Sequence, residues 1–396
     1  MRKFLTPAIV GMFLTISVCA QTNITVRIDP DNARGGTASQ IFDAIRFIPL
    51  ETNQQSLFGT INQLEVTDSF FIILDIQSRS IILFNRDGRF HTRIKSDGSD
   101  KYFNYFSIDR AAQTIIVTNN YANGLLVYDF DGRFIKKIPR PEKIRSLYSL
   151  GNNTLIHNLR RSSENKKNHP YDLIYSKQDT SPLLYFNRYD PDVETEEYNI
   201  EYNPFNFSGE PGSCMFSLPF NYKVYQLNDT GILRTYNFVF PAQYSLPSNF
   251  STDPVFKGER AKYVYLTQDN KLKKHGISAV YHINDYLLFT AMNGELRTGA
   301  DLHYLYNLTS GSLISLSKVS GDSASCYFPI LSSVFEPIGT TYNNKIYTST
   351  PSFRIFGAKS QTNKPVQYPA SIQNYIATGS KDDNPVIVEL APKQHL

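Results

Sequence analysis

Short runs of apolar residues separated by polar turns fill most of this chain, and one such pattern returns after 44 residues, from Asp87 to Asp131. The stretch 70–90 reads FFIILDIQSRSIILFNRDGRF, and the stretch 115–134 reads IIVTNNYANGLLVYDFDGRF. A period of about 40 to 50 residues built from short β-runs is typical of propeller blades. The pattern therefore predicts a β-propeller.

Further strand-rich units extend the pattern along the chain, and no long helical period competes with them. We predict an all-β, six-bladed β-propeller with four-stranded antiparallel blades, formed as a single domain by residues 21–396. Residues 357–381 have weak strand signals and are predicted to form a long loop. The six predicted units are residues 57–98, 99–141, 142–190, 205–250, 272–322 and 323–390.

The two ends of the chain are predicted to meet. Residues 41–50 (IFDAIRFIPL) and residues 386–390 (VIVEL) are apolar runs with no hairpin partner nearby. A propeller must join its last blade to its first, because an open ring leaves sheet edges unpaired. We therefore expect the strand at 41–50 to close the final blade beside 386–390, and residues 21–40 to form an extended lead-in.

Polar turns mark the predicted hairpins. Asp-Gly pairs at 87–88 and 131–132 lie between apolar runs, and Asp-Gly favours tight turns that require positive φ. Looser versions are found at 228–231 and 309–312. We interpret the Asp-Gly-Arg hairpins as turn chemistry rather than as a binding site.

The N-terminus has the pattern of an export signal. Two basic residues precede an apolar stretch, and Val18-Cys19-Ala20 resembles a small-x-small cleavage site, which predicts a signal peptide at residues 1–20. Cys19 also leaves a lipid anchor open as an alternative to soluble export. The stretch is too short for a transmembrane span. We expect a periplasmic or cell-surface protein.

Charge does not favour a nucleic-acid partner. The chain has 40 basic and 36 acidic residues, and removal of Arg2 and Lys3 with the signal peptide leaves 38 against 36, a net charge of +2. The mature chain keeps Cys214 and Cys326. In an oxidising compartment these residues can pair as a disulfide, or they can remain buried free thiols.

At this point the chain resembles a known family, the six-bladed β-propeller proteins abundant in the cell envelopes of Bacteroidetes, which are mostly uncharacterised NHL- and TolB-like propellers. The resemblance covers nearly the whole mature chain. It rests on IPLET at 48–52, SLFG at 56–59, the two Asp-Gly-Arg-Phe hairpins, PFNYKVYQL at 219–227 and NPVIV at 384–388. The family's Gly-Pro-Gly-Glu-Tyr-like turn is replaced here by DGSDKYF at 97–103. The resemblance implies the fold and an envelope location, and it implies no activity.

Propellers place ligands at one mouth of the central channel, on loops that differ between blades. One such loop, at 160–169, contains Arg160, Arg161 and His169, which suit an anion such as an acidic sugar; a solvated hairpin tip is the alternative. An acidic stretch at 189–198 offers carboxylates to calcium, although it lacks a twelve-residue calcium loop; an exposed acidic loop is the alternative.

Aromatic residues add candidates for sugar binding. The chain has no Trp, but Tyr102 and Tyr198 can serve as platforms. Catalytic motifs and zinc spacing are absent from the sequence, and the seven His are scattered. We therefore predict a non-catalytic exported propeller that binds a glycan, a peptide or an envelope protein at one face of the ring. The alternatives are a carbohydrate-active lyase, lactonase or hydrolase, and a scaffold subunit of an envelope complex.

Overall fold

The computed structural model describes residues 22–96, 102–119, 124–140, 144–159, 170–177, 182–193, 204–294, 302–331 and 339–396. Within these ranges the chain forms 26 β-strands and three α-helices. The strands are β1 Thr22–Arg27, β2 Arg34–Thr37, β3 Phe42–Pro49, β4 Gln63–Val66, β5 Phe70–Asp75, β6 Ser80–Asn85, β7 Phe90–Lys95, β8 Phe103–Asp109, β9 Thr114–Asn119, β10 Gly124–Asp129, β11 Phe134–Pro139, β12 Ile144–Gly151, β13 Thr154–Leu159, β14 Tyr171–Lys177, β15 Pro182–Arg188, β16 Phe205–Phe207, β17 Ser213–Ser217, β18 Lys223–Asn228, β19 Gly231–Val239, β20 Lys274–Ile283, β21 Tyr286–Asn293, β22 His303–Asn307, β23 Leu313–Ser320, β24 Thr340–Tyr342, β25 Lys345–Thr350 and β26 Val386–Pro392.

The strands form six sheets, and each sheet is one blade of a ring. Blades 1, 2 and 3 are β4 to β7, β8 to β11 and β12 to β15, and blades 4 and 5 are built on β16 to β19 and β20 to β23. Blade 6 has the order β24-β25-β26-β3. The first strands of the blades contact one another around a common centre, so the predicted six-bladed propeller is confirmed.

The predicted closure of the ring is also confirmed. Strand β3 pairs antiparallel with β26, and Val386 lies opposite Pro49. We call the interface between blade 6 and blade 1 the seam. It is tight at the first Asp-Gly hairpin, where Gly88 has φ +90° and a Cβ there would lie 2.1 Å from the carbonyl oxygen of Pro49. This position therefore requires glycine for both its backbone conformation and its space.

The lead-in differs from the expectation of a simple extended segment. Its β1 pairs in parallel with β19, and its β2 pairs in parallel with β23, so blades 4 and 5 each gain a fifth strand. The residues before β3 thus follow the outer edges of two blades. We call residues 22–37 the N-terminal belt.

The last unit also differs from the prediction. Residues 357–381 are not simply a loop, because helices Ser352–Gln361 and Ala370–Thr378 occupy much of the connection between β25 and β26. Each helix has a proline, Pro351 or Pro369, as its N-cap residue. The remaining short helices are the α-helix Ala38–Ile41, the π-helix Lys262–Leu266 and the 3-10 helices Pro30–Asn32, Ala242–Tyr244, Pro254–Phe256, Gln268–Asn270 and Ser323–Ser325.

Apolar clusters lie between every pair of neighbouring blades. Phe71 and Tyr347 join blades 1 and 6, for example, and Phe238 and Phe289 join blades 4 and 5. Similar clusters fill the other four interfaces. Burial of each such large side chain contributes about 1.5–3 kcal/mol, so the packing of blade on blade is the main stabilising term.

Candidate functional site

The two faces of the ring carry different connections. Because the strands of a blade alternate in direction, the turns after its first and third strands lie at one face, which we call the hairpin face. The turns after its second strand and the links to the next blade lie at the opposite face, the connection face. Long connections at 50–62, 240–273 and 351–385 all belong to the connection face.

Large apolar side chains project from the connection face. Val255 and Leu266 are 70% and 76% exposed, although most large apolar residues of the ring are buried. Leu272 projects from the same connection, at 240–273. Leu57 and Phe353 project from the connections at 50–62 and 351–385. Phe134, Ile135 and Leu184 are also exposed, on the outer strands β11 and β15, but the two most exposed large apolar residues lie on the connection face, which makes it a candidate interaction surface.

The connection at 240–273 has its own small core that holds these residues in place. The ring of Phe250 packs on those of Phe220, Phe256 and Tyr263, with centroids 4.8–5.3 Å apart. Beside it the buried guanidinium of Arg260 donates to the carbonyl oxygens of Phe250 at 2.9 Å, Ser251 at 3.0 Å and Val193 at 3.3 Å. The connection is therefore a folded segment rather than a loose loop.

A partly buried arginine lies in the central channel. Arg110, which follows β8 of blade 2, donates to Glu65 Oε2 at 3.2 Å and to the carbonyl oxygen of Val66 at 2.6 Å, both in blade 1. Its guanidinium carbon lies 5.4 Å from the ring centroid of Phe207 in blade 4 and 5.1 Å from that of Tyr342 in blade 6. Because blades 4 and 6 do not adjoin blade 2, this side chain crosses the channel.

Hydroxyl groups of blades 3 and 5 face the same centre. The pKa of Glu65 is raised by burial, and the charge of Arg110 opposes this rise. Burial also raises the pKa of Tyr148 and Tyr281 above their usual range, and the negative charge of Glu65 adds to both shifts. The Tyr281 hydroxyl donates to the carbonyl oxygen of Gly339 at 2.8 Å. All six blades thus contribute a side chain to this part of the channel.

The sequence did not single out Arg110. Val66 pairs with Phe71 in blade 1 and Ile108 pairs with Ile115 in blade 2, so Ile108 is the equivalent of Val66, and Arg110 lies in the turn that follows β8. No break in the repeat therefore points to Arg110, and only its contacts across the channel single it out. By contrast, Arg89 and Arg133 of the Asp-Gly-Arg hairpins pair with Asp87 and Asp131 and are largely exposed, in keeping with turn chemistry.

Most of the predicted ligand-binding residues lie outside the described residues. This is so for Arg160, Arg161, His169 and Tyr198. Tyr102 is described, and the guanidinium carbon of Arg79 lies 4.3 Å from its ring centroid. Its aromatic face is therefore occupied by a residue of blade 1 in this structure.

The disulfide alternative is wrong in this structure, because Cys214 and Cys326 are both free and buried. They do not occupy equivalent places: Cys214 lies on β17, whereas Cys326 follows a 3-10 helix and has φ +54°. Burial raises the pKa of both thiols. Each is therefore a protonated, packed side chain.

The described part of the acidic stretch forms a turn in which Asp192 donates its backbone N–H to Asp190 Oδ1 at 2.9 Å. Among the described residues, no group of three or more His, Cys, Asp or Glu side chains could hold a metal ion. In the same residues, no helix has the length and apolar character needed to cross a membrane.

Fold and site together define a six-bladed β-propeller with a charged, aromatic channel centre and an elaborated connection face. The chain belongs to the family of the domain of unknown function DUF4934, whose model matches residues 22–390. Among curated proteins, no sequence matches the chain.

Solved structures share the fold. A protein from Bacteroides fragilis NCTC 9343, described as a candidate exported protein, is 14% identical with a TM-score of 0.69, and the match covers 94% of this chain and 100% of that one. A DUF4221 member from Bacteroides vulgatus ATCC 8482 is 13% identical with a TM-score of 0.50, over 89% and 97% of the two chains. At these identities the likeness concerns the fold alone.

Proposed function

We propose that this protein is an exported, non-catalytic binding propeller that captures a protein or peptide of the cell envelope on its connection face. The observation that carries the proposal is the projection of Val255 and Leu266, 70% and 76% exposed, from a connection with its own core. Export rests on the signal-peptide pattern of residues 1–20.

The exposed side chains favour a polypeptide partner over a glycan. Sugars are usually bound on aromatic platforms, which offer flat apolar faces and polar edges. On the connection at 240–273 the large apolar residues exposed by more than half are instead Val255, Leu266 and Leu272. Aliphatic side chains of this kind gain most when a partner's apolar surface removes them from water.

The surface also extends beyond a single loop. Leu57 belongs to the connection between blades 6 and 1, and Phe353 lies in the first turn of the helix Ser352–Gln361 of blade 6. Side chains on separate blades suit a partner broad enough to touch several of them at once. The ring would hold these contacts at fixed spacing, which reduces the entropy lost on binding.

The test is a capture experiment with the mature chain, residues 21–396. Envelope proteins are crosslinked to the wild type and to the double variant Val255→Asp/Leu266→Asp. The matched control is Phe134→Asp, which changes a residue 57% exposed on the outer strand β11 of blade 2. We expect a partner captured by the wild type and by the control to be lost in the double variant.

Equal capture by all three proteins would contradict the proposal, provided that their melting temperatures agree. Turnover of a carbohydrate by the purified wild type would also contradict it and would favour the enzyme alternative. Recovery of the partner in a permanent stoichiometric complex would shift the assignment from binding protein to scaffold subunit.

A further inference from the structure

In the channel, the guanidinium group of Arg110 is surrounded by groups from three other blades. Phe207 and Tyr342 lie within 5.4 Å and 5.1 Å of the Arg110 guanidinium carbon, while Glu65 and the carbonyl oxygen of Val66 accept its N–H groups. Aromatic faces together with a carboxylate are the groups that bind such a flat cation.

The cage is held by parts of the molecule other than Arg110. Phe207 ends β16, Tyr342 ends β24, and Glu65 lies on β4, so three innermost strands fix the positions of these residues. Tyr342 has a further contact of its own, since its hydroxyl donates to Asp68 Oδ1 at 2.8 Å. We therefore expect the site to stay assembled when the arginine side chain is removed.

We infer that Glu65, Val66, Phe207 and Tyr342 form a preassembled guanidinium cage near the hairpin face, and that Arg110, as its resident ligand, ties four blades together. Arg110 follows the first strand of blade 2, and the cage residues lie at the same ends of the first strands of blades 1, 4 and 6.

The inference explains why a charged side chain stands at this place. Arg110 and Glu65 are 32% and 16% exposed, so the ion pair is screened less than a surface pair. Lysine would not serve equally, because its ammonium is a point charge without a flat face to lie between two rings. Planar shape and charge are both required.

Chemical rescue tests the cage. We compare the melting temperatures of the wild type, Arg110→Ala and the control Arg133→Ala, whose arginine forms an ion pair with Asp131 but is 78% exposed. Arg110→Ala is expected to melt about 3 °C or more below the wild type, and Arg133→Ala within about 1 °C of it. Millimolar guanidinium chloride is then expected to raise the melting temperature of Arg110→Ala alone, because a ligand that binds only the folded state stabilises it.

Sodium chloride at the same concentration controls for ionic strength, and urea controls for a flat molecule without charge. Neither is expected to raise the melting temperature of Arg110→Ala. The double variant Arg110→Ala/Phe207→Ala is expected to lose the guanidinium effect, since one face of the cage is gone. Rescue of Arg133→Ala to the same extent, rescue by urea, or no loss of stability in Arg110→Ala would overturn the inference. If Arg110→Ala does not fold, Arg110→Lys decides: we expect a lower melting temperature than the wild type, and an unchanged one would overturn the inference.

Discussion

Glu389 on the last strand of the chain accepts a hydrogen bond from Arg86 Nη2 of blade 1 at 3.2 Å, and this ion pair crosses the seam of the ring. The same carboxylate accepts from Lys345 Nζ at 2.8 Å and from the Tyr347 hydroxyl at 2.9 Å. Arg86 also donates to the carbonyl oxygen of Thr67 at 2.7 Å. One buried carboxylate thus holds the closing blade to the first.

Glu389→Gln is expected to lower the free energy of unfolding by about 2 kcal/mol, because hydrogen bonds to a charged group contribute about 1.5–3 kcal/mol each and glutamine keeps only part of them. Urea denaturation at neutral pH measures the change. The control is Arg133→Gln, which breaks an exposed ion pair and should cost less than about 1 kcal/mol. Equal losses of unfolding free energy in the two variants would show that the Glu389 contacts stabilise the protein no more than an exposed ion pair does.

The opposite side of the seam depends on Asn384. Its Nδ2 donates to the carbonyl oxygens of Glu51 at 2.7 Å and Ser56 at 3.0 Å, and its Oδ1 accepts from the Phe58 N–H at 3.1 Å. Asn384→Ala removes the partners of the Ser56 carbonyl oxygen and of the Phe58 N–H in a site that is 1% exposed, whereas the Glu51 carbonyl oxygen keeps the Ser56 hydroxyl as a donor. We expect a loss of about 2–4 kcal/mol, since each unsatisfied buried group costs about 1–3 kcal/mol.

For comparison, Asn221→Ala removes an exposed turn contact in which Asn221 Oδ1 accepts from the Lys223 N–H. That change is expected to stay within about 0.5 kcal/mol. Urea midpoints of the two variants, read against the wild type, check the prediction. A small loss in Asn384→Ala would mean that water satisfies the exposed carbonyls and that the seam opens locally.

Stability is expected to fall as pH drops from neutrality toward 5, because of two buried histidines. Burial, with the charge of Arg140 as a second cause, lowers the pKa of His157 to about 3, and burial lowers that of His275 to about 4. The folded state keeps both rings neutral, whereas the unfolded chain takes up protons below its ordinary pKa of about 6.5. Each histidine then costs up to about 1.4 kcal/mol per pH unit between 6.5 and its folded pKa.

Urea unfolding at pH 7, 6 and 5 measures this slope. His157→Gln removes one of these groups and is expected to reduce the slope by less than half, because burial also lowers the pKa of His282, whatever the effect of the substitution on stability at pH 7. His395→Gln, at an exposed position, should leave the slope as in the wild type. The carboxylate of Glu389, whose pKa is lowered by its hydrogen bonds despite its burial, contributes its own loss only below about pH 4.5.

The two thiols should resist modification in the folded protein. Cys214 is fully buried and Cys326 is 5% exposed, and burial raises the pKa of both, so little thiolate is available to react. A thiol reagent at neutral pH is expected to label fewer than one group in buffer and two in urea. Labelling of neither thiol in urea, together with a mobility change on reduction, would show that they pair after all.

The sequence was most informative where local chemistry repeats. The Asp-Gly turns and the 44-residue period predicted the blades, and the unpartnered run at 41–50 predicted the closing strand β3. The helix Ala370–Thr378 was missed because only Ile372 and Tyr375 are buried on it, too few to produce a helical period. Arg110 was missed for another reason. Because Arg110 lies next to a turn, its local sequence resembles that of the exposed Arg133, and only the contacts of Arg110 across the channel distinguish the two residues.

The N-terminal belt was also poorly visible, because only Val26 of the strand β1 is buried. Its side chain is 0% exposed and packs with Tyr236 and Phe238 between blades 4 and 5. Val26→Ala removes the equivalent of two methylene groups from this cluster, so we expect a loss of about 2 kcal/mol in urea denaturation. The control Thr22→Ala, at an exposed position of the same strand, should change stability by less than about 0.5 kcal/mol.

A stronger variant tests what the belt covers. Val26→Asp places a charge in the apolar cluster and should detach β1 from β19, because burying an unpaired carboxylate costs more than the strand pairing gains. The free edge of β19 then offers unpaired N–H and C=O groups to another molecule. Size-exclusion chromatography is expected to show concentration-dependent association for Val26→Asp and not for Thr22→Asp. A monomeric Val26→Asp with the stability of the wild type would mean that the ring does not depend on its belt.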